Sequence, residues 1–477
     1  MKIQTLWLYP IFIFMGFVGG INVQTAYGQA TPDKPNIVII LADDLGWGDV
    51  GYHGSWIKTP HLDKLSEEGV QLSRFYTAPV CSPTRAGLLT GIYPSRFGLR
   101  ETVIPPWRDF GIDPVVTMLP EFLGEHGYKN RAIIGKWHLG HSRPEYYPLN
   151  NGFTHFYGHL NGAIDYFTHE REGELDWHND FASSYDKGYS TDLFTEEAVR
   201  SIREYSKEGP FLLYVAFNAP HTPLQAKTED LKLYGFDESK PLYSKGKESQ
   251  GKGNTRKQTY GAMVTCMDRG IGNILQALSD LKIEENTLVL FFSDNGADEG
   301  SGGGSSGELR GHKFLEYDGG VRAPAIIRWP AGIKKQKEMD ELTGFVDVFP
   351  TICEIVEPGS SRAYPFDGLS ILNALKGGRL AEDRSFYLGC GALIRGDWKF
   401  IMPGRNPKMN LSADVIYNLI NDPAEKEDLA AKYPDLEKDL KELTLKYDTR
   451  KPDREVPPFG QGRENFKAPK EWNIFNQ

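Results

Sequence analysis

Cysteine is scarce. Cys81, Cys266, Cys353 and Cys390 are the only four in 477 residues, and their spacings match no zinc motif. In a secreted chain four cysteines allow two disulfides at most. An excess of base is also missing: 54 lysines and arginines face 64 aspartates and glutamates, for a net charge of −10. That balance argues against nucleic acid as a partner and requires any anionic substrate to be held by a local cationic pocket. Beyond residue 30 no stretch is apolar enough to span a bilayer, and no internal repeat is visible. What the chain does have is material for a large core, with 40% hydrophobic and 25% charged residues. Its length predicts one large domain with a smaller one attached.

Residues 1–30 read as a secretory signal peptide. Lys2 is their only charge, an apolar run covers Leu6 to Val18, and Tyr27-Gly28-Gln29-Ala30 offers small residues at a cleavage point. The run is short for a membrane anchor, and no cysteine near the cut would carry a lipid. The mature protein is expected to start near Thr31, to be secreted or periplasmic, and to keep no membrane span.

Asn36-Ile37-Val38-Ile39-Ile40-Leu41 is a continuous apolar, β-branched run, the pattern of a strand buried on both faces of a parallel sheet. Further strands are predicted at 131–134, 211–217, 287–292 and 325–328, and helices at 60–69, 116–126, 195–206 and 260–281. This alternation predicts an α/β fold with a large, mainly parallel central sheet and helices on both faces. After about Phe366 the texture changes to short strands at 385–388, 393–395, 398–401 and 415–419, then a helix at 434–447. That pattern predicts a small C-terminal antiparallel sheet with a helix. The division is therefore 31–365 for a catalytic domain and 366–477 for an α+β subdomain and tail. Gly300 to Gly307 reads as a mobile rim or a linker. Cys266 and Cys353 fall in apolar helical patterns and read as core residues.

Polar residues gather just past four strand ends. Strand one runs into Asp43-Asp44, the strand near Ile134 into Lys136 and His138, the strand near Val215 into Asn218 and His221, and the strand near Leu290 into Asp294-Asn295. Open α/β sheets place their ligands there. Asp43, Asp44, Asp294 and Asn295 offer only oxygen donors, which suit calcium or magnesium rather than zinc. Cys81-Ser82-Pro83-Thr84-Arg85 places a thiol directly before a helix start, with Ser82 as a cap and Pro83 in the first turn. A helix N-terminus attracts anions, so Cys81 is placed to act on an anionic group.

Cys81-x-Pro83-x-Arg85 followed by x-Gly87-x-x-Thr90-Gly91 resembles the signature of type I sulfatases. Distant segments resemble the same family in the same order: Pro35 to Gly46, Gly135-Lys136-Trp137-His138-Leu139-Gly140, Ser293-Asp294-Asn295-Gly296, Leu309 to Lys313 with Glu316 to Arg322, Asp397-Trp398-Lys399 and Asp422-Pro423. The resemblance implies an alkaline phosphatase-like fold and the conversion of Cys81 to formylglycine, with a formylglycine-generating or anaerobic sulfatase-maturating enzyme as the partner. It also implies one calcium ion held by Asp43, Asp44, Asp294, Asn295 and residue 81. One hydroxyl of the hydrated aldehyde would attack sulfur, and loss of the proton from the other would expel sulfate. Arg85 would orient the hydrate, Lys136 and Lys313 would bind sulfate oxygens, His138 would assist deprotonation, and His221 would protonate the leaving alcohol. Lys399 and Arg322 read as structural.

Within the family, Asp165-Tyr166-Phe167-Thr168-His169-Glu170-Arg171 and His221-Thr222-Pro223-Leu224-Gln225 resemble the N-acetylgalactosamine-4-sulfatase (arylsulfatase B) branch. The implied substrate is a 4-O-sulfated galactose or N-acetylgalactosamine, attacked from the chain end, with Asp165 and His169 touching sugar hydroxyls. Trp177 and His178, in a stretch without a counterpart, would stack on and bond to a sugar or simply pack a loop. Two rival readings stand beside this one. A phosphatase or phosphodiesterase of the same superfold would share the strand-end ligands, and a secreted glycan-binding protein would result if Cys81 were not matured.

Overall fold

The computed structural model describes residues 34–99, 102–244, 249–381, 383–450 and 456–475. The expected signal peptide and the start near Thr31 lie outside these residues. The main sheet is built from β1 (Asn36–Ala42), β2 (Val70–Leu72), β3 (Asn130–Lys136), β4 (His155–His159), β5 (His178–Asn179), β6 (Ala182–Ser183), β7 (Phe211–Ala216), β8 (Thr287–Ser293), β9 (Ala325–Arg328) and β10 (Glu338–Met339). Their order across the sheet is β10-β2-β9-β8-β1-β7-β3-β4-β5-β6. Strands β8, β1, β7, β3 and β4 are mutually parallel, whereas β9 and β5 run antiparallel to their neighbours β8 and β4.

The composition of β1 explains its central place. Ile37, Ile39 and Leu41 enter one apolar cluster and Val38, Ile40 and Ala42 enter another, so the strand is buried on both faces as the unbroken apolar run requires. Helices α1 (Pro60–Glu68), α2 (Cys81–Thr90), α3 (Leu119–Glu125), α4 (Ser190–Tyr205), α5 (Arg256–Asp280) and α6 (Val348–Val356) supply those clusters. Leu88, Phe122 and Phe349 of α2, α3 and α6 join the first; Leu62, Phe194 and Met263 of α1, α4 and α5 join the second. Helices therefore cover both faces. Cys266 and Cys353 are buried in α5 and α6.

The second sheet is an antiparallel meander of β11 (Ser385–Gly389), β12 (Ala392–Arg395), β13 (Trp398–Ile401) and β14 (Val415–Asn418), followed by α7 (Pro434–Asp448). Its Phe386, Ile394, Phe400 and Leu440 belong to the first apolar cluster of the main sheet. An ion cluster is buried between the segments: Lys399 Nζ lies 2.5 Å from Asp318 Oδ1 and 2.8 Å from Glu425 Oε1, all fully buried.

Several boundaries differ from expectation for local reasons. Helix α3 starts at Leu119, not 116, because Pro120 suits a first turn and the Met118 N–H donates to Glu121 Oε2 at 2.7 Å. Helix α4 starts at Ser190, not 195; its first turn is polar yet buried, so the apolar period begins late. Helix α5 starts at Arg256 because Thr255 accepts from the Gln258 N–H. Ser82 does not cap α2. Cys81 is itself the first helical residue, Val80 is the N-cap, and the Ser82 hydroxyl donates instead to the His138 carbonyl at 2.9 Å.

Candidate active site

The sheet order brings the chemistry together. Strands β8, β1, β7 and β3 are consecutive neighbours, so the residues after their carboxyl ends stand side by side, one strand spacing (about 4.8 Å) apart. The Asp294 N–H donates to the Ala42 carbonyl and the Asp43 N–H to the Ala219 carbonyl, each at 3.0 Å. Asp44 and His138 hold φ angles of 66° and 55°. This left-handed geometry costs a non-glycine residue on the order of 1–2 kcal/mol, and such strain gathers at functional sites.

All ten residues expected in the core of the site converge here. Cys81 Sγ lies 3.4 Å from Asp43 Oδ1 and 4.0 Å from Asp44 Oδ1. Arg85 donates to Asp294 Oδ2 through Nε at 3.0 Å and Nη2 at 2.7 Å, and to the Lys136 carbonyl through Nη1 at 2.9 Å. Lys136 Nζ donates to Asp43 Oδ2 at 2.6 Å, and Lys313 Nζ to Asp44 Oδ2 at 2.8 Å. The Asn295 amide donates to Asp44 Oδ1 at 2.8 Å. His221 Nε2 lies 3.6 Å from Asp44 Oδ2, while its Nδ1–H donates to the Thr222 carbonyl at 2.6 Å. His138 donates Nε2–H to the Ile104 carbonyl at 3.2 Å and leaves a buried Nδ1 without a partner.

Three buried carboxylates are thus set against Arg85, Lys136 and Lys313. Burial pushes the Asp294 carboxyl up to about 6, helped by repulsion from Asp43 and opposed by Arg85. Asp44 is held well below the usual carboxylate range: burial raises it, but Lys313, His221 and Lys136 outweigh that. Burial, then Asp294, pushes the Cys81 thiol far up, so it stays protonated and is a poor nucleophile as it stands. Burial, followed by the nearby lysines, depresses His221 to about 3.

The Asp43 and Asp44 carboxylates and the Asn295 amide offer oxygen donors that suit a hard cation, with the Cys81 thiol and the His221 imidazole beside them. Ligand atoms of Asp43, Asp44, Cys81 and His221 lie within 4.8 Å of one another. Asn295 Oδ1 is a buried acceptor with no hydrogen-bond partner, which an oxygen-binding cation would satisfy. Of the expected set, Asp294 is the least free, because Arg85 takes its Oδ2 and the Asp44 N–H donates to its Oδ1 at 3.2 Å.

The cluster forms the floor of a cavity of about 850 Å³, whose wall includes Cys81, His138, His221 and Lys313. The glycine-rich segment expected as rim or linker is folded against this floor. The Gly48 N–H donates to the Ser305 carbonyl at 2.9 Å, and a Cβ on Gly303 would lie 2.3 Å from Tyr260 Cβ.

The four expected sugar contacts do not reach the cavity. Asp165 Oδ1 accepts from the Phe167 and Thr168 N–H groups and its Oδ2 from Gln225 Nε2, closing a local turn. His169 stacks on Trp177 at 4.0 Å, and Trp177 on Phe194 at 4.9 Å. His178 contacts Asp176 at 3.1 Å, and Asp176 accepts from the Leu160 and Asn161 N–H groups at 2.9 Å. All four serve packing. The cavity wall is instead completed by Arg171, Asp298, Phe314, Arg405, Lys408 and Phe459. Arg171 lies in a two-residue strand and Lys408 in a single 3-10 turn, and the others come from loops and the C-terminal tail, where no periodicity marks them. The tail is tied down at the mouth, since Trp107 Nε1 donates to the Phe459 carbonyl at 3.1 Å and Trp472 Nε1 to the Arg171 carbonyl at 2.9 Å.

Comparison with known proteins agrees with this geometry. The family model described as Sulfatase matches residues 35–357. Arylsulfatase J of Mus musculus is 31% identical over 468 residues, covering 87% of this chain and 75% of its own length. N-acetylgalactosamine-6-sulfatase of Homo sapiens is 35% identical, covering 75% of this chain and 69% of its own. The crystal structure of Ps i-CgsB superposes with a TM-score of 0.77 at 30% identity, covering 88% of this chain and 93% of that one.

Proposed function

The chain belongs to the sulfatase family, with its alkaline phosphatase-like fold and its hydrolysis of sulfate esters on glycans, and from that premise we propose a calcium- and formylglycine-dependent exo-sulfohydrolase acting on a galacto-configured sugar. One observation carries the reading: a buried thiol at a helix N-terminus stands 3.4 Å from Asp43 within a balanced set of carboxylates, lysines and Arg85 at the floor of a cavity. Asp43, Asp44, Asp294 and Asn295 would hold calcium, which when bound supplies a Lewis acid for a sulfate oxygen and for residue 81. Oxidised Cys81, as a hydrated formylglycine, would supply the nucleophilic hydroxyl. Cys81 is 1% exposed, so a maturating enzyme must act before the chain closes.

The remaining roles fall to side chains already in place. Lys136 and Lys313 present ammonium groups for the sulfate oxygens, where negative charge grows as the ester bond breaks. Arg85, locked by Asp294 and the Lys136 carbonyl, fixes the orientation of residue 81 from behind. The unpartnered Nδ1 of His138 accepts a hydroxyl proton at position 81. His221, anchored through its Nδ1–H to Thr222, turns Nε2 towards the site; the negative charge of a bound sulfate ester would favour a proton on that nitrogen, from which it would pass to the leaving oxygen. Residues 31–365 would carry this chemistry, and 366–477 would complete the wall. Among the described residues no helix is long and apolar enough to cross a membrane; export by the 1–30 signal peptide remains part of the proposal.

The 4-O expectation gives way to 6-O. Its carriers, Asp165 and His169, are engaged by Gln225 and Trp177 and do not line the cavity, and the relatives at 35–36% identity include N-acetylgalactosamine-6-sulfatases from several mammals. We therefore take 6-O-sulfated N-acetylgalactosamine or galactose at a chain end as the substrate. Assays on 2-, 3-, 4- and 6-O-sulfated monosaccharides and an internally sulfated oligosaccharide test this. Preference for 4-O-sulfate or for internal sulfate would overturn the position or the exo reading. His221→Ala should lose about 10²–10⁴-fold on the sugar sulfate but much less on nitrophenyl sulfate, whose leaving group needs little protonation. Mass spectrometry of the peptide containing position 81 should show an aldehyde; a thiol there would restore the glycan-binding alternative.

A further inference from the structure

We propose that the cavity carries a second anion-binding position, formed by Lys408 with Arg405 beside it, which takes a carboxylate or a second sulfate on the substrate. The inference rests on the sulfatase reading of the deeper site and names the class of sugar that site serves.

The cavity wall beyond the catalytic floor is unevenly charged. Arg171, Arg405 and Lys408 line it, and among the described lining residues Asp298 is the one carboxylate. Arg405 is partly committed, with Nη2 3.1 Å from Asp448 Oδ2. Arg171 lies 3.6 Å from Glu172. Lys408 is different: among the described residues no carboxylate comes within ion-pair distance of it. Its Nζ lies 3.4 Å from the centroid of the Phe314 ring, which positions a cation without neutralising it. Phe314 directly follows Lys313, so the cation stands next to the sulfate-binding lysine in the chain's own wall.

The loop that bears Lys408 is built to hold it there. Asn406 Oδ1 accepts from the Lys408 N–H at 3.0 Å, and Asn406 Nδ2 donates to the Phe314 carbonyl at 2.7 Å and to Glu316 Oε2 at 2.8 Å. Glu316 is fully buried. One turn therefore fastens residues 405–408 to the segment carrying Lys313. Burial and the neighbouring Lys313 both push the Lys408 ammonium below its ordinary value, and Asp298 offsets them only in part. An exposed cation held over the Phe314 ring, beside an anion site and without a carboxylate in ion-pair reach among the described residues, gains most from a second negative group on the same ligand.

A substrate with one sulfate leaves this cation unused. A sugar bearing a second sulfate, or one joined to a uronic acid, would fill it. The two sources share one chemistry and separate by experiment. The Cys81→Ser protein, which cannot form the aldehyde, is titrated calorimetrically with the preferred monosulfated sugar, its disulfated form, and a disaccharide carrying the monosulfated sugar on a uronate. At least one doubly anionic sugar should bind about tenfold tighter, the worth of one charge-assisted hydrogen bond. Adding Lys408→Met should remove that advantage with less than a twofold change for the monosulfated sugar, and Lys408→Arg should keep most of it. Equal binding of all three sugars, or equal loss on all three with Lys408→Met, overturns the proposal; loss of the advantage with Arg171→Met and not with Lys408→Met overturns the assignment to this loop. Turnover of nitrophenyl sulfate by the native protein reports the deeper site independently. Its absence would count against the sulfatase reading, while the titration still decides the rim.

Discussion

Lys399→Met breaks the ion cluster that joins the second sheet to the catalytic segment. Lys399 Nζ stands 2.5 Å from Asp318 Oδ1 and 2.8 Å from Glu425 Oε1, with all three side chains fully buried. Methionine keeps the apolar stem and removes only the charge. Asp318 retains Tyr76 Oη at 3.2 Å and Arg322 at 3.5 Å. Among the described residues, the Glu425 carboxylate retains the Asp318 N–H at 2.6 Å and loses its counter-ion. Removing one member of a buried ion pair costs about 3–5 kcal/mol, because the partner's charge stays behind unpaired. The unfolding equilibrium should therefore shift by about two to four powers of ten. Urea unfolding followed by tryptophan fluorescence reads this, and Lys399→Met with Glu425→Gln should recover a good part of the loss by removing the stranded charge.

The effect has a pH signature. Burial pushes the Glu425 carboxyl up to about 7 even with Lys399 pulling it down, and losing the lysine raises it further. A carboxyl raised on folding takes up a proton as the chain folds, so its stabilisation is full in acid and falls as pH rises through the folded value. In the native protein that fall is complete a little above pH 7; in the variant it continues. The deficit of Lys399→Met should be larger at pH 8 than at pH 5.5. A variant within about 0.5 kcal/mol of the native protein at both pH values, the range of an ordinary surface change, would refute this account of what joins the two sheets.

Two further outcomes follow from other parts of the fold. Asp294→Ala should abolish calcium binding and nearly all turnover with the fold retained by circular dichroism; full activity in that variant, or after chelation, would remove Asp294 from the ligand set. Asp176→Asn should destabilise the 160–163 segment of the cavity wall by about 1–3 kcal/mol, since an amide cannot accept from all the donors that converge on the carboxylate. Against the upward push of burial, His178 and the backbone donors hold Asp176 well below the usual range. Its stabilisation is therefore present above about pH 4 and is lost as acid protonates it. Hydrogen exchange at Leu160 and Asn161 should show the variant's deficit at pH 7 and a smaller one in strong acid.

How much of this was legible in the sequence depends on what fixes each residue's place. Strand β1 and its neighbours were readable because a strand buried on both faces must be apolar throughout, and the polar residue that ends such a run must sit past the strand's carboxyl end. Asp43, Lys136, His221 and Asp294 were found by that rule, and the order β8-β1-β7-β3 makes their ends adjacent. Strands β2, β5, β6 and β10 were missed because two or three residues cannot establish a period, and β4 was missed because His155-Phe156-Tyr157-Gly158-His159 is not an apolar, β-branched run. Helix starts slipped where a first turn is polar yet buried, as at Ser190 and Thr191 of α4.

Loops obey no such rule. Trp177 and His178 have the composition of a sugar platform, but whether a loop aromatic faces a ligand or its own core depends on contacts far away in sequence. Here Phe194 of α4 fills that role for Trp177, and Asp176 holds His178. The reverse error fell on Lys408 and Phe459, which sit in unremarkable turn and tail sequence yet reach the cavity. Their placement comes from Asn406 bonding to Glu316, and from Trp107 bonding to the Phe459 carbonyl. Both bonds close between segments separated by tens to hundreds of residues. The floor of the site is thus set by strand ends, which sequence periodicity reports, and the rim by such cross-chain hydrogen bonds, which it does not. Reaction chemistry follows the floor, which is why the sulfatase reading came from the sequence, whereas the sugar contacts expected at Asp165, His169, Trp177 and His178 are not among the residues that line the cavity.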